Sequence, residues 1–367
     1  MPEGKLRIFT DCAGLSSETV ALSLLGLCSS HMEVVGGSEI DAVKRCLLQS
    51  VHKTCKQSTC KEALEHDIFN RNILSTPGCD LYIAGFPCPA YSNCGVKKGA
   101  QDGKGRGLLI FEGLKYIALR KPSIVILEQV LGFLHQRHAR THQVMKKTFK
   151  ALGYKVYLKK TNSKEHGVPQ SRQRCYIVAF RDKRTSFRFP KPLKKPRLSK
   201  FLDDYTGDET LDLSSFEQKY GSEIWKENVV LDIGSSPAWR GKMVDACPCL
   251  IRSRCLQRGY YLPQKRRRLT GAECARLQGV PTKIYDNMVA FLMRKISKYS
   301  DPDLAEKQVM GALGDSMSVN ILMRVLPRAF EAAHLRPGGI TLKDPWPKGV
   351  AENTSHTLAD RLFAKMS

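Results

Sequence analysis

The chain has 367 residues, more than one average domain of about 100–200 residues and enough for a large core with a smaller attachment. Its 59 Lys and Arg against 35 Asp and Glu give a formal charge of +24, which disfavours cationic partners and favours polyanions, nucleic acid first. Thirteen cysteines, an odd number scattered from Cys12 to Cys274, and a start without an apolar signal core exclude a secreted disulfide scaffold and point to a reducing intracellular compartment; no run approaches the about 18 apolar residues of a membrane span.

Short apolar runs alternate with longer amphipathic segments through the first half, the pattern of a doubly wound, mostly parallel α/β sheet. Strands are predicted at Leu6–Phe9, Met32–Gly36, Asp80–Ala84, Ile124–Leu127, Lys155–Lys159 and Cys175–Phe180. Crossover helices are predicted at Ser17–Leu27, Leu108–Leu119 and Arg140–Leu152. The texture changes after Arg181: Lys183–Lys200 carries eight Lys or Arg and three Pro, as a linker or phosphate-touching arm would. From Phe201 to Leu262 a loop-rich module is expected, and helices return at Thr270–Leu277 and Val319–Leu326. No repeat of solenoid period is present.

Chemistry concentrates where the predicted strands end. Gly85-Phe86-Pro87-Cys88-Pro89-Ala90-Tyr91-Ser92 follows a buried strand and frames a cysteine between prolines, in a stiff turn that presents its sulfur. A buried structural cysteine is the alternative. Glu128 is expected at the end of the Ile124–Leu127 strand, where a carboxyl can act as a proton donor or can simply be solvated. In Gln170-Ser171-Arg172-Gln173-Arg174, alternation sends Gln170, Arg172 and Arg174 to one side, suited to phosphate or base edges, or else forming a solvated basic edge. Thr10-Asp11-Cys12-Ala13-Gly14-Leu15-Ser16-Ser17 joins a strand to a helix through small residues, and Glu39 ends the second strand where an acid can take both ribose hydroxyls; a tight structural turn explains the glycine spacing equally well. His52, Cys55, Cys60 and His66 have a zinc-like spacing without a Cys-x-x-Cys pair, and Cys247 and Cys249 stand too close for a knuckle, so no metal is expected.

Taken in order, these residues resemble the DNA (cytosine-5) methyltransferase family over nearly the whole chain. Pro87-Cys88 with Ser92 is similar to its catalytic loop, Glu128-Gln129-Val130 to its Glu-Asn-Val, and Gln170, Arg172 and Arg174 to its Gln-x-Arg-x-Arg. Arg268-Leu269-Thr270 with Glu273, Leu277-Gln278-Gly279-Val280-Pro281 and Gly314-Asp315-Ser316-Met317 resemble its later motifs. The resemblance implies a Rossmann-like class I methyltransferase fold divided into a catalytic S-adenosylmethionine-binding domain (1–182), a target-recognition domain (183–265), a return to the catalytic domain (266–335) and a C-terminal tail (336–367). It implies that Ala13, Gly14 and Leu15, flanked by Cys12 and Ser17, lie near the methionine moiety of S-adenosylmethionine. Glu39 then binds the ribose, Ile40 the adenine face and Asp67 and Ile68 the adenine edge, with Gly85, Pro87, Leu109, Asp315 and Ser316 completing the pocket.

For the reaction it implies that Cys88 adds to carbon 6 of a flipped-out cytosine, Glu128 stabilises the charge built in the ring, Arg172 and Arg174 assist, and Ser92 and Gln170 touch substrate. The product cofactor is S-adenosylhomocysteine. The partner implied is double-stranded DNA, with no membrane and no partner protein indicated. The location expected is the nucleus if the source is eukaryotic, and otherwise soluble and intracellular. Lys191–Lys200 and Lys265–Arg268 read as import signals or as phosphate contacts. The chain departs from the family pattern at Cys12 (usually Phe), Ser16-Ser17 (usually Gly-rich), Gln129 (usually Asn) and Asp315 (usually Asn), which bears on cofactor affinity and on the placement of Glu128. A tRNA cytosine-5 methyltransferase of the same fold and a catalytically impaired DNA-binding relative stay open as alternatives.

Overall fold

In the computed structural model, which describes residues 4–56, 64–87, 91, 105–236, 241–346, 360, 361 and 364, the apolar runs of the first half become strands of one sheet. Strand β1 (Leu6–Asp11) is buried at every position except Arg7. A strand covered on both faces has no solvent side to carry polar residues, so its sequence reads as nearly continuous hydrophobicity. Helix α1 (Ser17–Leu24) leads to β2 (Met32–Ser38), and α2 (Ala42–Thr54) precedes the short β3 (Leu64–Glu65). Then come β4 (Leu81–Gly85), α3 (Leu109–Arg120), β5 (Ile124–Val130), α4 (Ala139–Ala151), β6 (Lys155–Asn162) and β7 (Gln173–Phe180). The sheet order is β3-β2-β1-β4-β5-β7-β6; every pairing from β3 through β5 is parallel, and β7 lies antiparallel to β5. The order reverses between β1 and β4, the switch point outside whose strand ends open α/β sheets bind ligands.

The expected strands are all present: five are longer at one end, and the one expected at Asp80–Ala84 is shifted by one residue to Leu81–Gly85. Glu128 therefore lies inside β5, not at its end as the sequence suggested, because β5 continues to Val130 against β7. The first crossover helix stops at Leu24 instead of Leu27, since Gly26 takes a left-handed φ of 97°. Under the sheet Phe9, Tyr82 and Tyr116 stack, with ring centroids 4.3 Å apart for Phe9–Tyr116 and 5.2 Å for Tyr82–Tyr116. Gly113 permits the close approach of α3 to β4 and to Phe86 just beyond it: a Cβ there would meet Phe86 and Tyr82 at 2.6 Å.

The chain packs as two compact units, one of residues 1–161, 173–191 and 322–345, the other of 162–172, 192–321 and 346–367. These bounds differ from the expected domain segments for visible reasons. Residues 183–191 run along β6, where Tyr157 donates to the Thr185 carbonyl at 2.8 Å and packs on Phe187 with ring centroids 5.5 Å apart. In the second unit, α5 (Ser214–Tyr220), β8 (Val229–Asp232), β9 (Gly241–Val244), α6 (Arg252–Leu256), β10 (Tyr260–Leu262) and β11 (Arg267–Arg268) precede helices α7 (Gly271–Gln278), α8 (Thr282–Lys295) and α9 (Pro302–Asp315). The four strands form an antiparallel sheet of order β11-β10-β8-β9, so pairing carries straight across the expected boundary at 265. Across the same boundary Arg267 pairs with the buried Glu273 at 2.7 Å, and Glu273 completes a capping box with Thr270 at the start of α7. Helix α10 (Val319–Ala332) passes from the second unit into the first. Trp346 is buried against Gly167, so the start of the expected tail is docked. Among the described residues no single helix is long and apolar enough to cross a membrane.

Candidate active site

β1 and β2 end level with each other, Asp11 opposite Ser38, beneath the loop that the sequence assigned to the cofactor. Asp11 has no exposed surface, and a buried carboxylate persists only when it is paired and hydrogen-bonded. Arg71 Nη1 meets Oδ1 at 2.7 Å, the Ser38 hydroxyl donates to the same oxygen at 2.8 Å, and the Tyr82 hydroxyl donates to Oδ2 at 2.7 Å. Burial, reinforced by Asp11, pushes the Tyr82 phenol far above its usual range and keeps it a donor. This network makes a rigid floor. The sequence reading missed it; an acid closing an all-apolar strand was the available signal for Asp11, and nothing local marks Arg71 or Tyr82 as its partners.

On that floor Cys12, Gly14 and Ser16 take left-handed φ values of 52°, 56° and 55°, alternating with Ala13 and Leu15. Ala13 N–H donates to the Ser38 carbonyl at 3.0 Å, and Gly14 N–H donates to Glu39 Oε2 at 2.8 Å. Glu39 Oε1 accepts the Asp41 N–H at 3.0 Å, and both carboxylate oxygens retain a lone pair for a further donor. Beside this acid Ile40 is 72% exposed, an apolar shelf. A carboxylate acceptor, an apolar shelf and a small-residue loop fit the ribose, adenine and methionine parts of the cofactor implied by the resemblance. The Cys12 thiol is raised by burial, then by Asp11 and Glu39, so it stays protonated and offers a small apolar surface. Asp67 Oδ1 accepts from Phe69 N–H at 3.0 Å, the Ile68 side chain is buried, and Leu109 opens α3 half-buried. Ser17 is buried at the start of α1.

The second half of the site lies at β4 and β5, where register sets Gly85 opposite Glu128. Cys88 and Ser92 lie outside the described residues; Phe86 is buried and Pro87 half-buried just before them. Glu128 is 4% exposed, and Arg174 Nε stands 3.1 Å from its Oε1. Arg174 pairs with Val130 across β7, and residues two apart along a strand share a face, so the antiparallel register brings the two charges together. Gln129, buried, donates from Nε2 to the Phe86 carbonyl at 3.0 Å, while its Oε1 accepts the Val130 N–H at 3.1 Å. Its longer amide thus reaches the backbone two residues ahead of Cys88.

Gln170 and Arg172 do not form the exposed donor row expected with Arg174. Both belong to the second unit and are buried. Arg172 Nη1 donates to the carbonyls of Leu250 at 2.8 Å and Gly314 at 3.1 Å, and Nη2 to that of Ser316 at 2.7 Å. Gln170 Nε2 donates to the Leu277 carbonyl at 2.9 Å and to Gln278 Oε1 at 2.7 Å, and its Oε1 accepts Leu250 N–H at 3.1 Å. With both terminal nitrogens committed to backbone carbonyls, this guanidinium staples segments together. Gln278 in turn holds the Ser316 carbonyl at 2.7 Å, and Asp315 pairs with Arg252 at 3.3 Å. The basic run at 265–268 is likewise engaged inside its unit: Lys265 with Asp204, Arg266 with Thr210, Arg267 with Glu273 and Arg268 with Glu209. Of the zinc-like set, Cys60 lies outside the described residues, His66 is exposed and His52 turns to Ser16.

A family model described as C-5 cytosine-specific DNA methylase matches residues 12–326. The chain is 32% identical over 268 residues to the type II methyltransferase M.HaeII of Haemophilus aegyptius, covering 71% of this chain and 80% of that protein. It is 28% identical over 327 residues to the type II methyltransferase M.Bsp6I of Bacillus sp. (strain RFL6), covering 83% and 93%. Both are bacterial and lend the nuclear expectation no support. In fold the chain is similar to the crystal structure of S. pombe Dnmt2 methyltransferase, with a TM-score of 0.58 and 15% identity over 89% of this chain and 99% of that one.

Proposed function

The chain belongs to the C-5 cytosine-specific DNA methylase family and is a DNA cytosine-5 methyltransferase, and we propose that it works through a covalent adduct of Cys88 with a flipped-out cytosine. The observation that carries this reading is the Glu128–Arg174 pair on β5 and β7, level with the strand end that leads to Cys88. Carbon 5 of cytosine is too electron-poor to take a methyl group until a nucleophile adds at carbon 6. The Cys88 thiolate makes that addition, and electron density moves onto the ring. Glu128 meets ring nitrogen 3 and the exocyclic amine, where that density gathers. Arg174 sets a positive charge 3.1 Å from the carboxylate before the base arrives, which is the preorganisation that makes an electrostatic contact effective. Gln129 holds the Phe86 carbonyl, and so the approach of the chain to Cys88.

S-adenosylmethionine, when bound, supplies the electrophilic methyl group. Glu39 takes its ribose hydroxyls, Ile40 its adenine face and residues 13–15 its methionine end; Asp315 and Ser316 are assigned to the same cofactor on the strength of the motif they carry. Loss of the carbon 5 proton to water then expels Cys88. The target base must leave the duplex stack for these contacts, at a cost of roughly a few kcal/mol.

Trapping tests the reading. Duplex DNA bearing 5-fluorocytosine, incubated with the protein and S-adenosylmethionine, should yield a denaturation-resistant adduct mapped to Cys88 and lost in Cys88→Ala, because fluorine cannot leave as a proton does. DNA binding without any adduct overturns it. An adduct on tRNA alone would move the substrate to RNA.

A further inference from the structure

The first crossover helix is entered through a serine in a backbone conformation that favours glycine. Ser16 has φ 55° and ψ 53°, is fully buried, and directly follows Ala13-Gly14-Leu15, the run on which the methionine end of the cofactor is proposed to rest. A side chain is strained in that region, and the conformation persists only where its surroundings hold it. They hold it through one oxygen. Ser16 Oγ donates to Glu18 Oε1 at 2.7 Å and lies 2.8 Å from Thr19 Oγ1 and 3.1 Å from His52 Nε2. A hydroxyl offers one proton and two lone pairs; with its proton on Glu18 it accepts from Thr19 and from a protonated Nε2, and its capacity is filled.

Glu18 comes from α1 and His52 from α2; they are 0% and 2% exposed, and neither takes part in the proposed chemistry. Burial lowers the His52 pKa to about 4, leaving a neutral imidazole, and raises the Glu18 carboxyl above its usual range. The Ser16 backbone transmits the clamp. Its N–H donates to the Ala13 carbonyl at 2.8 Å, and its carbonyl accepts from Thr19 at 3.0 Å and Val20 at 3.2 Å.

We infer that Glu18 and His52 are positioning residues for the cofactor loop: by clamping the Ser16 hydroxyl they hold residues 13–15 in the shape that receives the methionine end of S-adenosylmethionine. The inference deepens the proposed function and rests on it. Glycine at position 16 adopts the same φ unaided, so the clamp is dispensable in Ser16→Gly.

The experiment is a cycle in the full chain: wild type, His52→Ala, Ser16→Gly and the double variant. For each, calorimetry gives the Kd of S-adenosylhomocysteine, steady-state kinetics give the KM for S-adenosylmethionine and kcat, and heating gives Tm. His52→Ala should weaken Kd and raise KM about tenfold, the worth of one lost hydrogen bond, with kcat little changed. In the Ser16→Gly background the same change should fall below about twofold. His52→Gln, which keeps an N–H donor, should restore most of the affinity and covers the case in which alanine prevents folding. Equal effects in both backgrounds, or a lowered Tm with unchanged Kd, would overturn the inference. A wild-type protein that binds no cofactor would overturn the proposed function itself, whereas a binding wild type with a flat cycle overturns the clamp alone.

Discussion

Deleting the Arg71 guanidinium while leaving Asp11 in place isolates the floor of the site. In Arg71→Met the apolar stem remains, but the Asp11 carboxylate, with no exposed surface, keeps only the Ser38 and Tyr82 hydroxyls. Breaking a buried ion pair from one side costs about 3–5 kcal/mol, because an uncompensated charge stays behind. Two surviving hydrogen bonds to charged oxygens soften that, so we expect about 3 kcal/mol. Asp11→Asn should cost a similar amount by stranding Arg71, yet the double variant buries no charge and should cost no more than about 2 kcal/mol. The singles are therefore expected to be non-additive by about 4 kcal/mol. The assay is the four-corner cycle by urea unfolding at fixed pH, monitored by circular dichroism. Losses that simply add would refute the reasoning, since they would mean that the two charges do not stabilise each other in the folded chain.

The remaining expectations concern single side chains. Gln129→Asn withdraws the amide from the Phe86 carbonyl by one methylene and should lower kcat about tenfold with DNA affinity unchanged; an unaltered kcat would remove the amide from any role in placing the Cys88 loop. Arg172→Lys replaces a fork bonded to the carbonyls of Leu250, Gly314 and Ser316 by a point charge, and should cost about 2–4 kcal/mol in unfolding experiments, whereas Arg174→Lys should impair turnover more than stability. His52, neutral in the fold with a pKa of about 4 against about 6.5 unfolded, lets the unfolded chain bind the extra proton between those values. Its contribution is complete above pH 6.5 and is lost as pH falls towards 4, about 3 kcal/mol in all, so His52→Gln should flatten the decline of Tm over that window relative to wild type. Glu18, with its carboxyl raised by burial, works in the opposite sense, which is why the comparison must be variant against wild type.

The parallel sheet was legible because buried strands leave an uninterrupted apolar signature, and the sites at strand ends came with it. Gly85 closes β4 and Glu39 follows β2 directly, at the strand ends where that logic put them, whereas Glu128 sits two residues inside β5. What local pattern could not carry was partnership over long separations. Arg71 lies 60 residues from Asp11, and Arg172 142 residues from Gly314. Alternation around Gln170–Arg174 suggested one exposed face, yet β7 begins only at Gln173, so Arg172 and Arg174 are not neighbours on one strand and serve different partners. Strand pairing crosses residue 265 for a related reason: a change in composition says nothing about which strand a later segment pairs with, and Arg267–Arg268 returns to β10.

The departures from the family pattern look damaging in sequence, but three of them have acquired partners in the structure. Ser16 is strained where glycine would not be, and His52, Thr19 and Glu18 converge on its hydroxyl. Gln129 is a methylene longer than asparagine, and the extra reach ends on the Phe86 carbonyl while Glu128 keeps its contact with Arg174. Asp315 adds a negative charge where asparagine has none, and Arg252 stands 3.3 Å away to offset it. That last pair is more than a third exposed on its acidic side and so contributes little to stability; its effect is on local charge. A chain drifting away from catalysis has no reason to hold each substituted side chain in place, so the convergence of partners on Ser16, Gln129 and Asp315 argues for a working methyltransferase rather than an impaired relative.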